Sequence, residues 1–171
     1  MSFLFHGSNV VVPVPDVARG RTKVDFGQGF YLTALRMQAE SWARTIAGRH
    51  RNGVAVLNRY EFDEKCAREM AGERYKSFPA YDIEWLDFVV DCRRGGDACL
   101  QYDIIEGGVA NDNVIDTVED YENGVITAEQ ALGQLIYKKV NHQLCIRRQE
   151  ILDACLHFRG HEELPQGGDH A

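Results

Sequence analysis

The sequence predicts an α+β fold, and three observations carry that prediction. Apolar residues recur at helical spacing in some segments and alternate in others. The two kinds of segment follow each other irregularly, without the steady βαβ rhythm of a doubly wound sheet. A length of 171 residues, 44% hydrophobic and 26% charged, suits one domain with a single sizeable core. That domain is expected over 1–163, with 164–171 as a polar, Gly-rich flexible tail.

Each element has a local reason. Phe3-Leu4-Phe5 reads as a short strand ending at His6-Gly7-Ser8. Pro13 and Pro15 enforce an extended connection, because each fixes its own φ and restricts the residue before it. A charged, Gly-containing loop follows from Arg19 to Gly29. Ala39, Trp42, Ala43, Ile46 and Ala47 then share one face of a helix expected over Gln38 to Gly48. Val54 to Phe62 is a strand candidate with Val54, Val56, Tyr60 and Phe62 on one side and Arg59 and Glu61 on the other. Trp85, Phe88, Val89 and Cys92 mark a second helix from Asp82 to Cys92.

Further on, Tyr102 to Ile105 is a short strand closing at Gly107-Gly108. Val114, Val118 and Tyr121 predict a helix that stops at Gly124. Thr127 and Gln130 form a capping box ahead of Ala131, Leu132, Leu135 and Ile136. Leu144-Cys145-Ile146 reads as a strand, Ile151, Leu152 and Cys155 as a short helix, and Leu156 to Phe158 as a last strand.

The net charge of −7 weighs against broad nucleic-acid binding through phosphates, though it leaves room for a local basic groove. Five cysteines are an odd number and lack CxxC spacing. Neither a zinc site nor a disulfide framework is expected, and no metal is; reduced thiols in a cytoplasmic protein are. No signal peptide and no membrane span is read from the sequence.

Three segments carry chemistry: Phe5-His6-Gly7-Ser8, Phe26-Gly27-Gln28-Gly29-Phe30-Tyr31-Leu32-Thr33, and Asn141-His142-Gln143-Leu144-Cys145-Ile146. Singly, each has an ordinary structural explanation, such as glycines that turn the chain. In this order, the first two resemble the NAD-binding motifs of the ADP-ribosyltransferase superfamily, in its diphtheria-toxin and poly(ADP-ribose) polymerase branch. The chain as a whole resembles a family of short bacterial proteins of that superfamily, a domain of unknown function. The resemblance covers His6 to Gly160 and includes Asp25 to Thr33, Glu84-Trp85-Leu86-Asp87-Phe88-Val89 and Val109-Ala110-Asn111-Asp112.

The resemblance implies a split β-sheet core with peripheral helices and an NAD cleft. In it His6 would hydrogen-bond the adenosine ribose. Gly7 would present backbone N–H and C=O groups to the nicotinamide carboxamide, and Ser8 would touch the adenosine half. Tyr31 would pack on the nicotinamide ring, beside Phe30. Trp42 admits two readings, a second stacking residue or a member of the helix's apolar stripe. Gly27 and Gly29 would let the backbone run close to the dinucleotide. Arg19, Arg21 and Lys23 are candidates for the pyrophosphate charge, Arg21 being carried into the site. Arg147-Arg148 reads as a solvated pair, and Glu84 and Asp87 as wet helix positions.

At the third motif the sequence departs from the pattern. Polymerase-like enzymes place a glutamate where this chain has Gln143, which can hold a ribose hydroxyl but brings no negative charge and no base. His6, Tyr31 and Gln143 are the residues expected to carry catalysis. The resemblance therefore implies an NAD-dependent mono-ADP-ribosyltransferase, with NAD as substrate and a protein, nucleic acid or small molecule as acceptor. It also implies the toxin of a toxin–antitoxin pair, with an antitoxin protein as partner. A catalytically silent module that binds NAD or ADP-ribose is the alternative. Asp25, Asp103, Glu106 and Asp112 are the acidic residues near turns that could supply a carboxylate, and the sequence does not rank them.

Overall fold

The computed structural model describes residues 1–111, 114–136, 138 and 140–165. Its elements run β1 (Ser2–Ser8), β2 (Phe30–Leu32), α1 (Arg36–Ala47), β3 (Ala55–Phe62), α2 (Glu64–Ala71), β4 (Tyr75–Ser77), α3 (Ile83–Arg94) and β5 (Ile104–Gly107). They continue with α4 (Ile115–Glu122), α5 (Ala128–Leu135), β6 (Gln143–Ile146), α6 (Gln149–Cys155) and β7 (Leu156–Leu164). The class is α+β, as the irregular alternation predicts. The chain divides into two compact units: 1–15, 31–70 and 150–171 form one, and 16–30 and 71–149 the other.

The first unit is built on a three-stranded antiparallel sheet in the order β1-β3-β7. Its central strand is buried on both sides: Val56, Tyr60 and Phe62 on one face, Ala55 and Leu57 on the other. The second set packs with Ala39, Ala43 and Ala47 of α1, and with Leu164. Alanines at these positions let the helix lie close to the sheet. The strand begins one residue later than expected and Val54 is exposed. β1 runs through His6-Gly7-Ser8 instead of stopping there, and β7 reaches Leu164, buried opposite Ala55. The tail expected from 164 thus begins beyond the strand, and 166–171 lie outside the described residues. One expectation about cysteine is corrected: Cys66 of α2 and Cys155 of α6 are joined as a disulfide, with Cα atoms 5.9 Å apart, while Cys92, Cys99 and Cys145 are buried thiols. The pairing brings together residues 89 apart in sequence, which spacing alone cannot reveal.

The second unit carries a four-stranded sheet in the order β2-β6-β5-β4, β2 entering through Phe30. β5 pairs antiparallel with β6 and parallel with β4. Its core is aromatic: Phe78 and Phe88 have ring centroids 4.9 Å apart, Phe26 packs on both, and Tyr81 lies 4.6 Å from Trp85. The helix ends obey capping chemistry. Asp82 accepts from the Trp85 N–H at the start of α3, which stops at Gly95 in the left-handed region (φ 83°). Thr127 and Gln130 form the expected capping box of α5. Sequence reading missed α2, half of whose eight residues are charged, and the three-residue polar strand β4.

Candidate functional site

In the first unit, β1 lies at one end of the sheet order, so one side of its backbone does not face β3. In an antiparallel strand successive residues direct their N–H and C=O groups to opposite sides. Phe5 directs both away from β3: its N–H donates to the Thr33 carbonyl at 2.8 Å, and its carbonyl accepts from the Thr33 N–H at 2.9 Å. Gly7 is two residues further on and directs its N–H and C=O the same way. Among the described residues neither group has a partner outside the β1–β3 ladder. Gly7 must be glycine for a separate reason. A Cβ there would run into the Ala39 carbonyl oxygen and stand 2.8 Å from the Ala43 nitrogen of α1.

The Phe5–Thr33 bridge also brings Tyr31 beside His6. The His6 Nδ1 lies 2.7 Å from the Tyr31 carbonyl oxygen, which can only accept. Nδ1 is therefore the protonated nitrogen, and Nε2 in the neutral ring is an acceptor. Burial pulls the His6 pKa below its ordinary 6.5, the bond to Tyr31 offsetting part of that. The sequence-named residues His6, Gly7 and Tyr31 thus meet. Ser8 is buried, and its hydroxyl oxygen accepts from the Val10 N–H at 3.4 Å. Trp42 is 41% exposed while Ala39, Ala43 and Ala47 are buried, so it does not belong to the packed stripe; the Arg49 guanidinium lies 5.4 Å from its ring.

Asn58, fully buried on β3, escaped sequence analysis. Its side chain donates to the Val10 and His6 carbonyls and accepts from the Val12 N–H, while the Tyr60 hydroxyl donates to the Val12 carbonyl. These bonds fix the segment that follows Ser8. A polar residue in the middle of an apolar strand was the available signal.

In the second unit the site residues meet around Asp25. Its Oδ1 accepts from Arg93 at 3.2 Å, and its Oδ2 accepts from the Ala110 N–H at 2.9 Å and from Gln143 Nε2 at 3.3 Å. Gln143 Nε2 donates its second hydrogen to the Gly108 carbonyl at 2.9 Å, and the Trp85 indole donates to that same oxygen. Burial raises the Asp25 pKa above its ordinary 3.8, while Ala110, Arg93 and Gln143 pull it back. Three segments that carry the family resemblance converge here, through Asp25, Trp85 and Ala110.

Gly27 and Gly29 pack against other parts of this unit. A Cβ on Gly27 (φ 73°) would meet the Cys99 sulfur, and one on Gly29 would meet the Cys145 sulfur and the Ile146 carbonyl. The space each side chain would fill belongs to the protein itself. Phe30 is buried, whereas Arg19, Arg21 and Lys23 are exposed, Arg19 lying 3.7 Å from Asp16. Arg147 and Arg148 are not the solvated pair expected. Arg147 donates to the Gln28, Cys99 and Tyr102 carbonyls, and Arg148 pairs with Asp103. The capacity of one guanidinium to satisfy several carbonyls explains the difference.

Of the candidate carboxylates among the described residues, only Asp25 bonds Gln143. Asp103 is held between Arg74 and Arg148, both at 2.9 Å. Glu106 accepts from the Tyr75 hydroxyl at 2.8 Å and lies 3.0 Å from His142 Nε2. Its register neighbour is Leu144, so it points to the opposite face of the sheet from Gln143. Asp112 lies outside the described residues. Among the described residues no cluster of His, Cys, Asp and Glu is arranged to hold a metal ion, and no helix is long and apolar enough to cross a membrane.

Comparison with curated proteins and with solved structures gives no match. The family model of DUF3990, described as a protein of unknown function, matches residues 2–158, and the chain belongs to that family.

Proposed function

We propose that this chain is an NAD⁺-dependent mono-ADP-ribosyltransferase. The observation that carries the reading is the Gly7 N–H and C=O, turned away from β3 and without a partner among the described residues. A primary carboxamide offers one acceptor and one donor side by side, and an edge residue presents the complementary N–H and C=O. The same strand supplies His6, whose ring is oriented by the bond from Nδ1 to the Tyr31 carbonyl.

The reaction breaks the bond between the nicotinamide nitrogen and the ribose anomeric carbon. Nicotinamide leaves with the electron pair, positive charge develops on the sugar, and an acceptor nucleophile forms the new bond and loses its proton. The contribution of the first unit is to hold NAD⁺ in place at Gly7 and His6, and the resemblance gives Gln143 a ribose 2′-hydroxyl. An amide cannot take a proton from the acceptor, so the reading is single transfer without chain elongation. By the same resemblance the chain would act as a toxin restrained by an antitoxin protein.

The neutral side chain at Gln143 favours one rival, a catalytically silent module that binds NAD or ADP-ribose. Incubating the protein with nicotinamide-labelled NAD⁺, with and without cell lysate, separates the two. Nicotinamide release that falls in His6→Ala and in Gln143→Ala is the expected result. Binding of NAD⁺ with no release in any lysate would leave the silent module, and the absence of binding would end both readings.

A further inference from the structure

We propose that Asp25 is a positioning residue, which holds the Gln143 amide so that its Nε2 faces the fold and its Oε1 is presented to the ribose hydroxyl. This rests on the transferase reading above. The orientation follows from counting donors and acceptors. The groups beside the amide nitrogen are a carboxylate oxygen and a backbone carbonyl, both acceptors. Two acceptors need two N–H donors, and Nε2 has two. A flipped amide would set Oε1 against both oxygens, losing two hydrogen bonds and adding two repulsions.

The acceptors are themselves fixed. Every partner of the Asp25 carboxyl is a donor: Arg93, the Ala110 N–H and Gln143. The Gly108 carbonyl is held by the Trp85 indole, and a Cβ at Gly108 would collide with the Tyr81 ring, which keeps this backbone where it is. With Nε2 engaged twice, Oε1 has no partner among the described residues and is not a buried orphan. It remains an open acceptor of fixed direction.

The arrangement also explains why a glutamine occupies this position. A glutamate would bring a second carboxylate against Asp25 and the Gly108 carbonyl, and two anions at that distance resist joint ionisation. The acidic group is not missing from the site; it lies behind the amide.

Two measurements test the proposal, one of which does not depend on turnover. By NMR, the Gln143 side-chain amide protons should exchange slowly in the wild-type chain and lose that protection in Asp25→Ala. Wild-type protons that exchange freely, or protection unchanged in the variant, would overturn the proposal. In the nicotinamide-release assay, Gln143→Glu should lower kcat by about tenfold, and adding Asp25→Asn should restore most of it, because the new amide donates where Gln143 did. Losses that multiply in the double variant would show that Asp25 serves the fold alone. If the wild type neither binds NAD⁺ nor releases nicotinamide, the transferase reading fails and the ribose contact with it. The amide measurement then still judges the orientation separately.

Discussion

At the edge of β1 the polar groups on offer belong to the backbone alone, whereas around Asp25 the side chains of residues 25, 93 and 143 join the Gly108 carbonyl and the Ala110 N–H. The first arrangement needs only a strand end and a helix close enough to demand glycine. Its groups are oriented by the ladder itself, so no side chain has to be ordered to present them. The second needs several side chains to satisfy each other at once, and the loss of one strands the others. Damage should therefore be graded, large in the network and smaller at the edge.

Asp25→Ala is expected to have the largest effect. It leaves the Ala110 N–H and one Gln143 N–H without an acceptor, and buried donors stranded in this way cost about 1–3 kcal/mol each, although Arg93 keeps Glu119 and Glu122. Chemical denaturation measures it, and a loss no greater than that of an exposed pair would break the contrast between the two regions. Gly7→Ala comes next. The added methyl meets the backbone of α1, and overpacking of this kind costs about 2 kcal/mol. NAD⁺ binding should fall with it, since α1 and β1 must part.

His6→Ala is expected to leave the fold nearly intact and to weaken NAD⁺ binding by about fivefold, the worth of one hydrogen bond. Calorimetry reads this directly. The smallest effect is a control of opposite sign. Gly133 is exposed within α5 with nothing near its missing side chain, so Gly133→Ala should stabilise the protein by about 1 kcal/mol.

The two regions should also respond to pH in opposite directions. The folded chain depresses the His6 pKa, so His6 contributes stability above 6.5 that is lost as pH falls through the shifted value. Asp25 is shifted upward from 3.8, so its contribution is full below that value and fades as pH rises through the folded one. Relative to wild type, His6→Gln should flatten the acid side of the first window. Asp25→Asn should remove the opposite slope of the second. Slopes of the same sign would contradict the assigned environments.

How legible each region was in the sequence follows the same division. The helices at Ala39–Ala47, Trp85–Cys92 and Thr127–Leu135 announce themselves through spacing and caps, because those signals are local. Gly7 and His6 stand out because they end a strand within one short segment. The pairing of Asp25 with Gln143 spans 118 residues, and the role of Arg93 sits on the C-terminal turn of a helix that reads as merely charged. Neither leaves a periodic trace. Gly27 and Gly29 are visible as a motif, but their packing is not, because Cys99 and Cys145, which fill the space beside them, lie far along the chain.

The central claim is that Gly7 receives a carboxamide, and one comparison of ligands tests it. Calorimetric titration with NAD⁺ and with its nicotinic acid counterpart changes a single group, the carboxamide to a carboxylate, which can accept but not donate. The Gly7 carbonyl would then lack its donor, so the acid form should bind about tenfold more weakly or worse, and NAD⁺ alone should shift the Gly7 amide signal in NMR. Equal affinity for the two dinucleotides, with Gly7 unmoved by either, would contradict the account.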